Sequence, residues 1–161
     1  MQVRIVAVGR MKAGPERDLA ARYWDRFARA GRAVGLQTSD IRELAESRAG
    51  DPASRQAEEA RTIEAAIAGN ANWFLLDERG DDRTSEKFAA ELADMAGRGV
   101  SPVAFVIGGA DGVAPDLRDR APRTFRFGKA TLPHQIVRIL LCEQLYRAAT
   151  ILSGHPYHRS G

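Results

Sequence analysis

Short apolar runs alternate with segments of helical periodicity along most of the chain. The runs at 3–8, 73–76 and 103–107 predict buried strands, and the last is apolar at every position, as expected for a strand covered on both faces. Two weaker patterns, at 36–41 and 125–127, complete five predicted strands. Because helical segments separate the strands, the pattern predicts an α/β fold with a mostly parallel sheet and helices on both faces.

The segments between these strands carry apolar residues three and four positions apart, which is typical of helices with one buried face. Proline, threonine or serine at their starts and glycine at their ends mark the boundaries. Five helices are predicted. The first begins at about Pro15, the second covers 53–67, the third begins at Thr84 or Ser85, the fourth covers 116–120, and the fifth extends from about His134 to Leu152.

The last predicted helix is too apolar for a surface element, since its isoleucine, leucine, valine, tyrosine and alanine residues cover more than one face. One face can pack on the sheet and another on a partner chain. Cys142 lies among these residues, and we interpret it as a small core residue rather than a nucleophile.

The length of 161 residues fits a single domain covering 1–161. A domain of this size buries enough surface to fold without disulfides, and the single cysteine cannot form one internally. The sequence contains neither a secretory signal nor a run of about 20 apolar residues, so we expect a cytoplasmic protein without a membrane partner.

The net charge of +3 does not identify a partner, but the charge is unevenly distributed. The segment 118–159 contains eight Lys and Arg residues against two acidic residues. This region is either an ordinary solvated surface or a side that faces the phosphates of a nucleic acid.

Several common motifs are excluded. Gly9 and Gly14 have the spacing of a phosphate-binding loop, but the residues after Gly14 are not the required Lys and Ser or Thr. No G-x-G-x-x-G follows the first strand, and there is no G-x-S-x-G elbow. His155 and His158 have no carboxylate or thiol close to them in sequence, so no metal site is predicted.

Two segments in the C-terminal third carry most of the information about function. They are ATLPHQIVRILLCEQLYRA, at 130–148, and HPYHR, at 155–159. Together with the opening IVAVG and the segments LLDERG and FVIGGADG, they resemble the SPOUT class of methyltransferases, and within it the small family that methylates a pseudouridine of large-subunit ribosomal RNA. The resemblance extends over nearly the whole chain, with a looser fit at about 31–69.

The resemblance implies a C-terminal trefoil knot, a homodimer and S-adenosylmethionine as the cofactor, bound in the knot. The family's cofactor contacts fall on three segments that follow strands, where backbone amides and carbonyls can hold the edge of an adenine. The residues implied are Leu76, Gly108, Gly109, Phe127, Gly128, Lys129, Ala130, Thr131 and Leu132. Ordinary roles compete with this interpretation, because leucine and phenylalanine can belong to the core and a glycine pair can form a turn.

Methylation at N3 of a pseudouridine requires the loss of a proton, so we expect a base or a cation that stabilises the anion. The candidate catalytic residues are His155, His158, Arg159, Tyr157 and Arg138. We favour the 155–159 tail, with a histidine assisting deprotonation, Arg159 pairing with a phosphate or a base edge, and Tyr157 stacking on a base. Terminal residues can also simply hold the end of a chain in place. Arg147 is expected to form a structural pair with Glu143.

The sequence leaves three functions open. The first is N3-methylation of a pseudouridine in 23S ribosomal RNA within the assembled ribosome. The second is methylation of another RNA, such as a tRNA base or ribose, by a related SPOUT enzyme. The third is a non-catalytic protein that binds the ribosome. The lack of an added RNA-binding domain favours the first, because recognition then relies on a large preassembled substrate.

Overall fold

A sheet of five parallel strands lies at the centre of the part of the chain that the computed structural model describes, residues 1–69 and 72–157. The strands are β1 (Gln2–Val8), β2 (Gln37–Leu44), β3 (Trp73–Leu76), β4 (Val103–Ile107) and β5 (Arg123–Phe125). They hydrogen-bond in the order β2-β1-β4-β3-β5, and each pair of neighbours is parallel. The prediction of an α/β fold with a mostly parallel sheet is confirmed.

Helices connect the strands. They are α1 (Pro15–Ala30), α2 (Pro52–Ile67), α3 (Ser85–Gly97), α4 (Pro115–Asp119) and α5 (His134–Leu152), and a short 3-10 helix (Gly31–Val34) follows α1. Side chains cap two of them: Asp51 accepts a hydrogen bond from the backbone N–H of Ser54 at 2.9 Å, and Thr84 accepts one from that of Lys87 at 3.3 Å. Among the described residues, no helix has the length and apolar character needed to cross a membrane.

The side chains of β1, β3 and β4 alternate between two hydrophobic cores, so the centre of the sheet is covered on both faces. On one face, β1, β3 and β4 pack against α1, α3 and α5, with Phe27, Phe88 and Leu141 fully buried. On the other face they pack against α2 and α4 around Ile63 and Leu117. This arrangement confirms the prediction of helices on both faces, and it explains why β4 is apolar at every position.

The predicted bounds of β5 were wrong. The strand ends at Phe125, and Phe127 lies in the loop that follows. The backbone N–H of Arg126 donates to the carbonyl of Asp81 at 3.2 Å instead of continuing the ladder with β3, and Gly128 then turns the chain with φ of 85°. Other bounds also differ from the sequence pattern, since β2 is an edge strand that continues to residue 44 and α4 begins at a proline suited to a first helical turn.

The described bounds of α5, His134–Leu152, agree with the prediction, but the helix is covered differently than expected. Helices α1 and α3 of the same chain cover much of its apolar surface, including the fully buried Leu141 and Leu145. Ile136 remains exposed near its start. Cys142 is fully buried, which confirms that it is a core residue, and burial raises the pKa of its thiol to about 12.

Candidate functional site

A cavity of about 650 Å³ opens at the carboxyl edge of the sheet. The loops after β3, β4 and β5 form most of its wall, and the first turn of α5 closes one side. Because all the strands are parallel, their carboxyl ends meet at one edge, where open α/β sheets hold ligands. The volume is in the range of small-molecule sites.

The structure brings the predicted cofactor residues together at this cavity. Eight of the nine line it: Leu76, Gly108, Gly109, Phe127, Gly128, Ala130, Thr131 and Leu132. The ninth, Lys129, is exposed and does not contribute to the lining. These residues lie far apart in sequence and meet because β3 lies between β4 and β5 in the sheet.

The glycine pair after β4 is packed too tightly for any side chain. A Cβ atom on Gly108 would lie 2.6 Å from Cγ1 of Val113, and one on Gly109 would lie 2.6 Å from Oε2 of Glu59. Both distances are well below van der Waals contact. The wall of the cavity at this point therefore consists of main-chain atoms, which is what close approach of a flat ligand requires.

Ion pairs fix the loops around the cavity. Arg118 Nε donates to Asp77 Oδ2 at 3.0 Å, which joins the loop after β3 to α4. Arg55 of α2 donates to both carboxylate oxygens of Asp111, at 2.6 and 3.1 Å, and these hydrogen bonds lower the pKa of that carboxyl. The two pairs hold the β3 and β4 loops against separate helices.

A hydrogen bond also crosses the cavity wall. The hydroxyl of Thr131 donates to Glu78 Oε2 at 2.7 Å, so the loop after β5 is joined to the loop after β3. Both residues line the cavity. Glu78 therefore places a carboxylate at the edge of a space that a cationic ligand can enter.

Glu59 lies directly behind the glycine pair and was missed from the sequence. Its side chain is 94% buried, with relative exposure of 6%, and burial raises the pKa of its carboxyl. Oε1 accepts the backbone N–H of Ser47 at 3.0 Å, whereas Oε2 is buried without a hydrogen-bond partner among the described residues. A glutamate in a helix is normally exposed, so only the packing of α2 on the β4 loop reveals it.

The described part of the tail, residues 155–157, follows the other end of α5 and folds back against the helix. The hydroxyl of Tyr157 donates to Glu143 Oε1 at 3.1 Å, its ring lies 4.6 Å from that of Tyr146, and burial raises its pKa. His155 accepts the backbone N–H of Tyr157 through Nδ1 at 3.2 Å and is otherwise exposed. His158 and Arg159 lie outside the described residues. A helix of 19 residues is about 27 Å long, so this end of α5 is far from the cavity at its start.

Arg138 is buried within the fold and is not part of the cavity lining. Its side chain has 3% exposure, donates to Glu43, and donates through Nη2 to the carbonyl of Gly9 at 2.9 Å. Burial opposes ionisation of Glu43, but hydrogen bonds from Met11 and Arg138 outweigh it and lower the pKa of the carboxyl. These contacts join α5 to the ends of β1 and β2.

Arg147 pairs with Glu143, as predicted, with Nε and Nη2 at 2.9 and 2.5 Å from Oε1. Its guanidinium also lies 5.0 Å from the centre of the Tyr157 ring. The pair therefore holds the described part of the tail against α5.

His134 was not among the predicted site residues, yet it lines the cavity at the first position of α5. Its place in the TLPH segment was the available signal. Among the described histidines it is the one at the cavity. In the same part of the chain, no three His, Cys, Asp or Glu side chains are close enough together to hold a metal ion.

Comparison with known proteins identifies the relatives of this chain. The family model described as "Predicted SPOUT methyltransferase" matches residues 1–158. A protein named "Ribosomal RNA large subunit methyltransferase H" from Allorhizobium ampelinum is 57% identical over 160 residues, covering 99% of this chain and 100% of the relative. A protein of the same name from Rhizobium leguminosarum bv. trifolii is 54% identical, covering 99% of each.

The fold has counterparts among solved structures. A probable methyltransferase from Bordetella pertussis Tohama I superposes with a TM-score of 0.52 at 17% identity, covering 91% of this chain and 95% of that one. At this identity the likeness concerns the fold alone. With the family model matching nearly the whole length and relatives more than half identical, the chain belongs to the SPOUT methyltransferase family.

Proposed function

We propose that the chain is an S-adenosylmethionine-dependent methyltransferase that methylates N3 of a pseudouridine in 23S ribosomal RNA, within the assembled ribosome. The observation that carries the proposal is the cavity walled by glycine backbone at the carboxyl edge of β3, β4 and β5, in a chain 57% identical to a protein named for methylation of large-subunit ribosomal RNA. The cytoplasmic location and the single domain over 1–161 belong to the same proposal.

The residues of the cavity fit the proposed cofactor. The main chain of 127–132, with Leu76 and Gly108, offers amides and carbonyls to an adenine edge, and the tight packing behind Gly108 keeps that wall free of side chains. Glu78 supplies negative charge for a ligand whose sulfonium and ammonium groups are cationic. When bound, the cofactor supplies an electrophilic methyl carbon.

The protein's own contribution is to hold the acceptor nitrogen in line with that carbon and to accept its proton. Positioning alone can supply a large part of the rate acceleration in such a displacement. The tail residues His155, Tyr157, His158 and Arg159 are proposed to face the RNA, where Tyr157 can stack on a base and Arg159 can pair with a phosphate or a base edge. Arg138 is assigned instead to holding the end of β1.

The position of the tail supports a homodimer. His155 follows the last turn of α5, and Tyr157 folds back against Glu143 and Tyr146, about 13 to 18 Å along the helix from its start, so a tail cannot act at its own cavity without leaving these contacts. In a symmetric dimer the tail of one protomer can face the cavity of the other. Ile136, which is exposed beside the cavity, is available to such an interface. We include the trefoil knot in the proposal on the strength of family membership.

The experiment that tests the function is transfer of a labelled methyl group. The protein is incubated with labelled S-adenosylmethionine and, separately, with whole ribosomes, isolated subunits, free ribosomal RNA and tRNA, and the modified nucleotide is mapped. We expect transfer to N3 of one pseudouridine in 23S RNA, strongest with whole ribosomes. Transfer to tRNA instead would show that the substrate is tRNA. The absence of both transfer and cofactor binding would favour a non-catalytic protein that binds the ribosome.

A further inference from the structure

His134 presents an imidazole to the cavity. It is half-buried at the first position of α5, and it makes no hydrogen bond or ion pair with residues 1–69 or 72–157. Imidazole both accepts and donates protons near neutral pH. This imidazole is partly buried and borders the cavity, and no described residue hydrogen-bonds to it. It is therefore free to exchange a proton with a bound molecule.

Gly9 creates the space beside this imidazole. A Cβ atom at Gly9 would lie 3.4 Å from His134 Nε2 and 2.7 Å from Glu46 Oε1, so any side chain at this position would fill the gap between the two groups. The backbone of Gly9, with φ of 88°, also requires glycine. The end of β1 therefore leaves an imidazole and a carboxylate on either side of one small niche next to the cavity.

We propose that His134 is the general base of methyl transfer and that Glu46 stabilises its protonated form. The proposal rests on the proposed function. The lone pair of N3 forms the new bond to the methyl carbon as the bond from that carbon to sulfur breaks, and the N3 proton passes to Nε2 of the neutral imidazole. A neutral thioether leaves. One positive charge thus moves from the sulfonium to the imidazolium, beside the Glu46 carboxylate.

Of the two described histidines of one protomer, only His134 lies at the cavity, so the same protomer's His155 is excluded as the base and only a tail brought by a second protomer competes for this role. His134 lines the cavity, whereas His155 lies beyond the far end of α5, about 27 Å away along the helix. A general base must reach the proton it removes directly or through one water. The tail then serves to bind and orient the RNA.

The test compares single-turnover methyl transfer to ribosomes by the full-length protein and by His134→Gln, at saturating S-adenosylmethionine. We expect transfer at least about 100-fold slower in the variant, with cofactor affinity measured by calorimetry within threefold of wild type. Added free imidazole should restore part of the rate. Glu46→Gln should slow transfer by a smaller factor, about tenfold, because it leaves the base in place. Gln135→Ala, next to His134 but outside the cavity lining, is the matched control and should keep the wild-type rate.

Each contrary result has a distinct meaning. A transfer rate within threefold of wild type in His134→Gln would overturn the role of His134 alone. Weakened cofactor binding with an unchanged rate at saturation would make His134 a ligand contact and would also overturn it. If His134→Gln fails to fold, as judged by circular dichroism, His134→Asn with imidazole rescue gives the same comparison. No transfer by the wild-type protein to any RNA would overturn the proposed function together with this role.

Discussion

Neighbouring side chains leave no room for a Cβ atom at Gly108 or Gly109. Each lies where a Cβ atom would come within 2.6 Å of an existing side chain, Val113 in one case and Glu59 in the other. The glycines therefore form the cavity wall and also allow the layers behind it to pack closely. Glu59 is the less expected partner, because it places a buried carboxyl beneath a loop that lines the cavity.

Gly108→Val tests the cavity wall. The new side chain must displace Val113 and shift the 108–113 loop, so we expect S-adenosylmethionine to bind at least about tenfold more weakly while the fold persists. Calorimetric titration measures the affinity, and circular dichroism checks the fold. Gly97→Ala is the control, since nothing lies within 4 Å of its added methyl group, and it should bind the cofactor normally. Wild-type affinity in Gly108→Val would remove the 108–109 segment from the site.

Glu59→Gln tests the buried carboxyl through pH. Burial raises the pKa of Glu59 in the folded state, so its stabilising contribution is present below the unfolded pKa and is lost as the pH rises through the folded pKa. Glutamine does not ionise and retains the oxygen that accepts the Ser47 N–H. We expect the free energy of unfolding of the variant, relative to that of wild type, to increase as the pH rises from about 4 to about 8.

Urea-induced unfolding at the two pH values measures this difference. Glu58→Gln, an exposed position on the same helix, is the control for removing a charge from α2. A Glu59→Gln variant that loses stability relative to wild type as the pH rises would contradict the assignment.

At the level of elements, α5 connects three parts of the molecule. Its first turn borders the cavity, one side of the helix packs against α1 and α3, and Glu143, Tyr146 and Arg147 hold Tyr157 of the tail. Arg138 contributes to the connection by contacting Glu43 of β2 and the carbonyl of Gly9. The apolar residues that suggested a second packing partner for α5 pack mainly against other helices of the same chain.

Arg138→Met tests whether this arginine is structural. Methionine keeps most of the length and removes the charge, so the Gly9 carbonyl loses the hydrogen bond from Arg138 and Glu43 keeps only the one from the Met11 N–H. Since Glu43 is partly exposed and can regain water, we expect a loss of about 2 kcal/mol in the free energy of unfolding, below the usual cost of breaking a fully buried pair. Urea titration measures it, with Arg22→Met, an exposed position on α1, as the control. Wild-type stability combined with weaker ribosome binding would instead give Arg138 a substrate role.

At the scale of the whole molecule, we propose that a second chain completes the active site. The cavity borders the first turn of α5, whereas Tyr157 is held by Glu143, Tyr146 and Arg147, about 13 to 20 Å further along the helix. Two protomers related by a twofold axis can bring a tail to each cavity. Mixing two variants with different defects can test this arrangement.

We expect two inactive variants to complement each other. One is Gly108→Val, with a defective cavity and an intact tail, and the other lacks residues 155–161. If each tail acts at the partner's cavity, half of the dimers in an equal mixture are mixed and each has one complete site, so activity should reach about a quarter of wild type. The measurement is methyl transfer to ribosomes after joint refolding. Activity near zero in a mixture that contains mixed dimers would show that each tail acts at its own cavity.

The sequence by itself determined the α/β class, the strand and helix alternation and the bounds of α5, because these depend on local periodicity and capping. Its resemblance to the SPOUT family also indicated residues 76, 108–109 and 127–132, all of which line the cavity except Lys129. Only the tertiary structure revealed the burial and contacts of Glu59, His134 and Arg138. Their burial and contacts depend on residues distant in sequence, as when Gly9 meets His134 and Arg138 across the sheet edge. No local pattern encodes such long-range contacts, since chain topology brings them together.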